Sequence, residues 1–194
     1  MEVSFIFLKH IRILLEGECL KECLKPIQKI KRDLSFLFQN YEKSCNILEE
    51  QFKRIRKCEL KEQQTFFSAT IWYRLFCVDF EEDLEEHFEC LKSASFNADK
   101  LCRTECFSTP SPKTDKLKKV DKEAKMCEQI KCSTVCYYKS LSQSCPSAQP
   151  TLLKMNLRQS DDMYHSTHKE TLIKMPKECK DLHDTQYMKG KMLE

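Results

Sequence analysis

Apolar residues recur at steps of three and four through much of the first 145 positions, a spacing that predicts amphipathic helices. Over residues 18–44, Ile27, Ile30, Leu34, Phe38, Tyr41 and Cys45 fall on one face. One helix around a single break is expected there, with Pro26 in a first turn, where its missing N–H costs little. A second helix over about 45–58 carries Cys45, Leu48, Phe52 and Ile55. The longest stripe follows: Trp72, Phe76, Phe80, Leu84, Phe88 and Leu91, ringed by Asp79, Glu81, Glu82, Asp83, Glu85, Glu86 and Glu89. It predicts one continuous helix whose stripe is core rather than a cofactor box. The alternative for Trp72 and Tyr73 is an exposed anchor for a partner. A short helix near 97–106, a loop at Ser108–Pro112, an exposed charged stretch Lys113–Lys125 and a last core helix over Cys127–Tyr138 complete the pattern.

Beyond Cys145 the pattern changes. All 12 Phe and the single Trp lie at or before Phe107, whereas five of the 7 Met lie at Met155 or later. Residues 146–194 show scattered Leu, Met and charge without a sustained period, and are expected to form a low-order, flexible tail. Composition supports helices elsewhere. With 2 Gly among 194 residues, the chain lacks the residue that hairpin turns and bulges use most. The expected class is all-α: a compact, disulfide-stapled helical bundle over 19–145, followed by the tail.

Charge narrows the function only by exclusion. Charged residues make up 32% of the chain, yet the net charge is +3, without the clustered basic excess of a nucleic-acid binder. No apolar run approaches the length of a membrane span. The first 18 residues resemble a weak or truncated signal peptide, because Lys9, His10 and Arg12 interrupt the apolar stretch.

The 13 cysteines change the picture most. Disulfides persist in oxidising compartments, so this density points to a secreted, extracellular chain. Twelve lie between Cys19 and Cys145: Cys19, Cys23, Cys45, Cys58, Cys77, Cys90, Cys102, Cys106, Cys127, Cys132, Cys136 and Cys145. An even set in one segment reads as a framework of six bridges, and leaves Cys179 as a stray or intermolecular thiol. Cys19/Cys23, Cys102/Cys106 and Cys132/Cys136 share i, i+4 spacing. On a helix their Cβ atoms stand about 5–6 Å apart, wider than the roughly 3.5–4.5 Å of a disulfide. Each pair should therefore reach outward to another segment. Cys77 and Cys90 point to opposite sides of a continuous helix and should bond to different neighbours. The remaining pairings stay open.

Four stretches carry a family likeness: Cys19-Leu20-Lys21-Glu22-Cys23-Leu24-Lys25-Pro26, the Cys45 and Cys58 spacing, Phe76-Cys77-Val78 leading through the acidic run to Glu89-Cys90-Leu91, and Cys127 to Cys136 followed by Cys145. In cysteine order this resembles the nematode chondroitin proteoglycan 4 domain family. The resemblance covers about residues 19–145. It implies a secreted, non-catalytic extracellular module, in some members associated with chondroitin. The chain departs from that pattern in one respect: neither Gly17 nor Gly190 follows a serine, so no Ser-Gly attachment site for the sugar is present, and there is no Asn-x-Ser/Thr sequon.

Chemical motifs are few. No phosphate loop, dinucleotide fingerprint or nucleophile elbow occurs, and no enzyme activity or cofactor is expected. The cysteines lack the paired short spacings of a structural zinc site, and His165, His168 and His183 read as solvated residues. The basic cluster Lys53, Arg54, Arg56 and Lys57 is either a solvated helix face or a dock for sulfated glycans or other anionic extracellular partners. The leading expectation is a secreted structural or interaction module of extracellular-matrix or egg-coat type. The alternative is a thiol-redox or mitochondrial intermembrane-space protein built on Cys-x3-Cys pairs.

Overall fold

The computed structural model describes residues 17–107 and 119–194. The N-terminal signal-like stretch up to residue 16, the Ser108–Pro112 loop and the start of the charged Lys113–Lys125 stretch lie outside them. The described residues are helical, with no strand among them. Two compact units divide between Phe88 and Glu89.

The first unit holds α1 (Glu18–Ile27), α2 (Leu34–Gln39), α3 (Tyr41–Ile55), α4 (Leu60–Ala69), α5 (Ile71–Arg74), a π-helical turn (Leu75–Asp79) and α6 (Glu81–Glu85). Its core joins Leu20, Leu24 and Ile27 of α1 to Leu48 and Ile55 of α3, Phe66 of α4 and Tyr73 of α5. Aromatic edges lock the packing: Phe52 stands edge-on to Phe66, and Phe38 edge-on to Phe76 and Phe88. Two tyrosines tie helices to carbonyls. Tyr73 donates to Ile30 O at 2.9 Å and Tyr41 to Phe76 O at 2.6 Å. Burial, with the nearby Glu81 charge, pushes the Tyr41 pKa up to about 12.

Sequence spacing and structure part in two places here. Pro26 sits near the end of α1 rather than at a helix start. There its missing N–H removes the helical bond that would run back to the Glu22 carbonyl, a cost confined to the last turn. The Trp72–Leu91 stripe is not one helix. The Phe80 N–H bonds back five residues to Leu75 O at 3.1 Å, and the chain restarts at Glu81. Like charges three and four apart weaken a helix interior, whereas Glu81, Glu82 and Asp83 are favourable in a first turn, near the positive end of the dipole. The apolar face survives the breaks, for Phe76, Leu84 and Leu91 are all buried.

The second unit holds most of α7 (Phe88–Phe107), then α8 (Lys119–Ser144), a 3-10 turn (Pro146–Ala148), α9 (Gln149–Ser166), α10 (Lys169–Lys174), α11 (Lys177–His183) and α12 (Thr185–Leu193). The expected low-order tail is thus largely helical. Leu152, Met155, Cys179, Leu182, Met188 and Met192 are buried in it, and α9, α11 and α12 pack on α8. Asp184 caps α12 by accepting from the N–H groups of Gln186 and Tyr187, both at 3.0 Å. Lys131 of α8 donates to Asp181 of α11 at 2.9 Å and to the Tyr187 hydroxyl of α12 at 3.3 Å. Burial works against its charge, but these two bonds outweigh it and raise the Lys131 pKa.

Six disulfides staple the helices: Cys19–Cys58 and Cys45–Cys77 in the first unit, and Cys90–Cys145, Cys102–Cys136, Cys106–Cys132 and Cys127–Cys179 in the second. The Cys102/Cys106 pair reaches across to Cys136/Cys132, making two parallel rungs between antiparallel helices. Their shared core is the sulfurs themselves with Phe107 and Tyr137. Two assignments differ from the expected framework. Cys23 is free and buried, and Cys179 takes the place given to it. The cause is the folding of the C-terminal segment, which carries Cys179 on α11 to Cys127 on α8.

Candidate functional site

The basic cluster is built by the end of one helix and the turn after it. Lys53 and Arg54 occupy the last turn of α3, where cations complement the negative end of the helix dipole. Arg56 and Lys57 continue into the turn. The turn is closed by Lys57 N–H to Arg54 O at 3.1 Å and Cys58 N–H to Ile55 O at 2.9 Å. Gln63 clamps it from α4, donating to Cys58 O at 2.9 Å. The Cys19–Cys58 bridge then anchors it to α1. All four cationic side chains are exposed. Lys53 pairs with Glu49 at 2.7 Å across one helical turn; an exposed pair of this kind is weak. Arg54, Arg56 and Lys57 form no ion pair among the described residues. The acidic side chains of the 79–89 run are exposed, and none of them pairs with the cluster among the described residues.

Beside the turn lies a shallow cavity of about 350 Å³ lined by residues that include Gly17, Cys19, Leu20, Glu59, Lys61 and Glu62. Glu62 organises it. Its carboxylate accepts from Leu20 N–H at 3.1 Å and from Glu59 N–H at 3.3 Å, so it caps α1 from a distance and its own helix locally. The backbone of Gly17 makes room for this: a Cβ there would meet the Glu62 carboxylate. The Glu59-x-x-Glu62 spacing signals the local capping box. The cap on α1, 42 residues away in sequence, leaves no sequence signal. Lys61, exposed on the first turn of α4 and lining the same cavity, is a further cation that the sequence reading missed, since the break between α3 and α4 leaves no helical spacing to link it to Lys57.

The other chemical candidates fall apart or into structure. His165 faces Asp161 on its own helix at 3.4 Å, while His183 contacts Cys179 O at 2.7 Å; these histidines do not converge. Trp72 is partly buried against the first core, in contact with Tyr73 and Phe76. Cys179 is bonded and buried. The free thiol of Cys23 is buried in the first core, and that burial raises its pKa; Arg54 opposes the shift, and Glu62 and Glu22 add to it. A raised pKa keeps this cysteine a thiol rather than a nucleophilic thiolate. No helix among the described residues is long and apolar enough to cross a membrane.

The chain matches no protein-family model, no curated protein and no solved structure.

Proposed function

We propose that this protein is a secreted, non-enzymatic structural or interaction module of extracellular-matrix or egg-coat type, and that the turn at Lys53–Lys57 docks sulfated glycans. One observation carries the reading: three exposed, unpaired cations and a weakly paired fourth are held on a turn that a disulfide, a side-chain clamp and two helices fix in place. Pre-organised charge of one sign attracts a polyanion without an ordering cost at the site. The six bridges support an oxidising compartment. The likeness to chondroitin proteoglycan 4 domains supports the glycan class. The test is retention on chondroitin sulfate beads. Replacing Lys53, Arg54, Arg56 and Lys57 by Gln should lower retention at least tenfold at low salt, and raising the ionic strength should elute the parent chain. Retention indifferent to both changes removes the glycan reading.

A second reading, a protein of the mitochondrial intermembrane space, is favoured by the two rungs that join Cys102/Cys106 to Cys136/Cys132 across antiparallel helices. Localisation of the tagged full chain separates the two: recovery from the medium supports the first, recovery from mitochondria the second.

A further inference from the structure

The six bridges differ in how far solvent reaches them. Cys19 is exposed, and Cys58 is only partly buried. Each of the other five bridges includes a cysteine at most 7% exposed. Cys19 also stands in the wall of the shallow cavity of about 350 Å³, which gives an attacking thiolate room to approach. Access governs thiol–disulfide exchange, and exposed bridges are the labile ones. The same bridge ties the end of the basic turn to α1.

We propose that Cys19–Cys58 is a redox switch on the basic turn: a dithiol opens it ahead of the other five bridges, and its opening loosens the turn and weakens docking of the sulfated glycan. The docking half rests on the function proposed above. One thiolate of the dithiol attacks Cys19 Sγ. The Cys19–Cys58 bond breaks, its electron pair leaves on Cys58, and Cys58 takes a proton from water. The second thiolate of the reductant then attacks its own sulfur in the mixed disulfide, and Cys19 leaves and is protonated. The dithiol has lost two electrons and two protons and become a disulfide; the bridge has gained both.

The corner around this bridge transmits the change. A bond holds two sulfurs closer than unbonded heavy atoms come, and these settle at roughly 3.5–4 Å. Opening therefore demands room. The corner has little, for a Glu62 carboxylate oxygen lies within 4.8 Å of both sulfurs and a Cβ at Gly17 would meet that carboxylate. Glu62 accepts from Leu20 N–H and Glu59 N–H, and the next residue, Gln63, donates to Cys58 O at 2.9 Å. Separating the sulfurs thus strains the cap and the clamp that fix the turn, and the cations lose their pre-organisation.

The experiment uses the full chain and a graded amount of a trialkylphosphine, which becomes the phosphine oxide with oxygen from water. Free thiols are alkylated and mapped by peptide. Cys19 and Cys58 should be labelled first, at least tenfold faster than any other bridged cysteine. In the chain with this bridge alone open and kept from oxygen, trypsin should cut after Arg54, Arg56 or Lys57 at least tenfold faster, and retention on chondroitin sulfate beads should fall at least threefold. A Cys19→Ser, Cys58→Ser double variant should match the opened parent and ignore the reductant. Earlier labelling of any other bridge overturns the proposal. So do unchanged cutting and unchanged retention once Cys19–Cys58 is mapped as open. An oxidised chain that never binds chondroitin sulfate counts against the docking reading instead, while labelling order and cutting at the turn still decide whether the bridge is a switch.

Discussion

At the scale of residues, two cysteines exchange the roles that their surroundings in sequence suggest. Cys23 lies in a Cys-x3-Cys pair like the two that become rungs, yet its sulfur faces the apolar core of α1, α3 and α4. Cys179 stands in polar sequence, yet it is 2% exposed and bonded. The consequences for substitution are opposite. Cys179→Ser should leave Cys127 as a reactive thiol and cost about 2–4 kcal/mol, the usual worth of a bridge. Cys23→Ala should open no bridge and cost less. Denaturant unfolding, with thiol titration of the native and unfolded states, checks both. In the parent chain one thiol should titrate, and only after unfolding. The i, i+4 spacing told correctly that no such pair closes on itself, but it overstated the outward bonding: Cys102/Cys106 and Cys132/Cys136 bond outward with both sulfurs, Cys19/Cys23 with one. Which helix faced which pair depended on contacts between segments far apart in sequence, so spacing alone could not identify the odd cysteine.

At the scale of elements, periodicity located the apolar faces better than it located helix ends. Leu48 and Ile55 of α3, and Phe76, Leu84 and Leu91 along the acidic stretch, are buried as their spacing implies. The π-helical turn at Leu75–Asp79 escaped because it adds one residue to a turn while leaving the stripe legible. The bridge geometry survives this correction: Cys77 and Cys90 do bond to different partners, Cys45 and Cys145. The α7–α8 rungs carry an energetic expectation of their own. Cys106–Cys132, with a separation of 26 residues, is nested inside Cys102–Cys136, with a separation of 34. Once one rung closes the loop, the second restricts little additional chain. Replacing either pair by Ser should therefore cost less than the ~3 kcal/mol of a loop closed alone, and replacing both should cost more than the sum of the two. Denaturant midpoints of the three variants test this.

At the scale of the whole molecule, the drop in aromatic content after Phe107 misled the division of the chain. Its C-terminal core is made with Leu and Met instead of Phe. Unbranched methionine fills irregular gaps without a strict period, so the segment from Gln149 to Leu193 has a weak sequence pattern despite its buried face. The basic turn was legible as a run of four cations. Its fixation by Gln63 and the Cys19–Cys58 bridge was not, because both partners of the turn come from other elements.

Each disulfide joins residues on the same side of the Phe88–Glu89 boundary. Drawn as a map of covalent links, the molecule is two closed networks tied by one peptide strand. A single backbone cut at that boundary, run on a gel in detergent without reductant, should release two fragments. A single cut between residues 108 and 118 should release none until thiol is added, because three bridges, from Cys90, Cys102 and Cys106, span the gap.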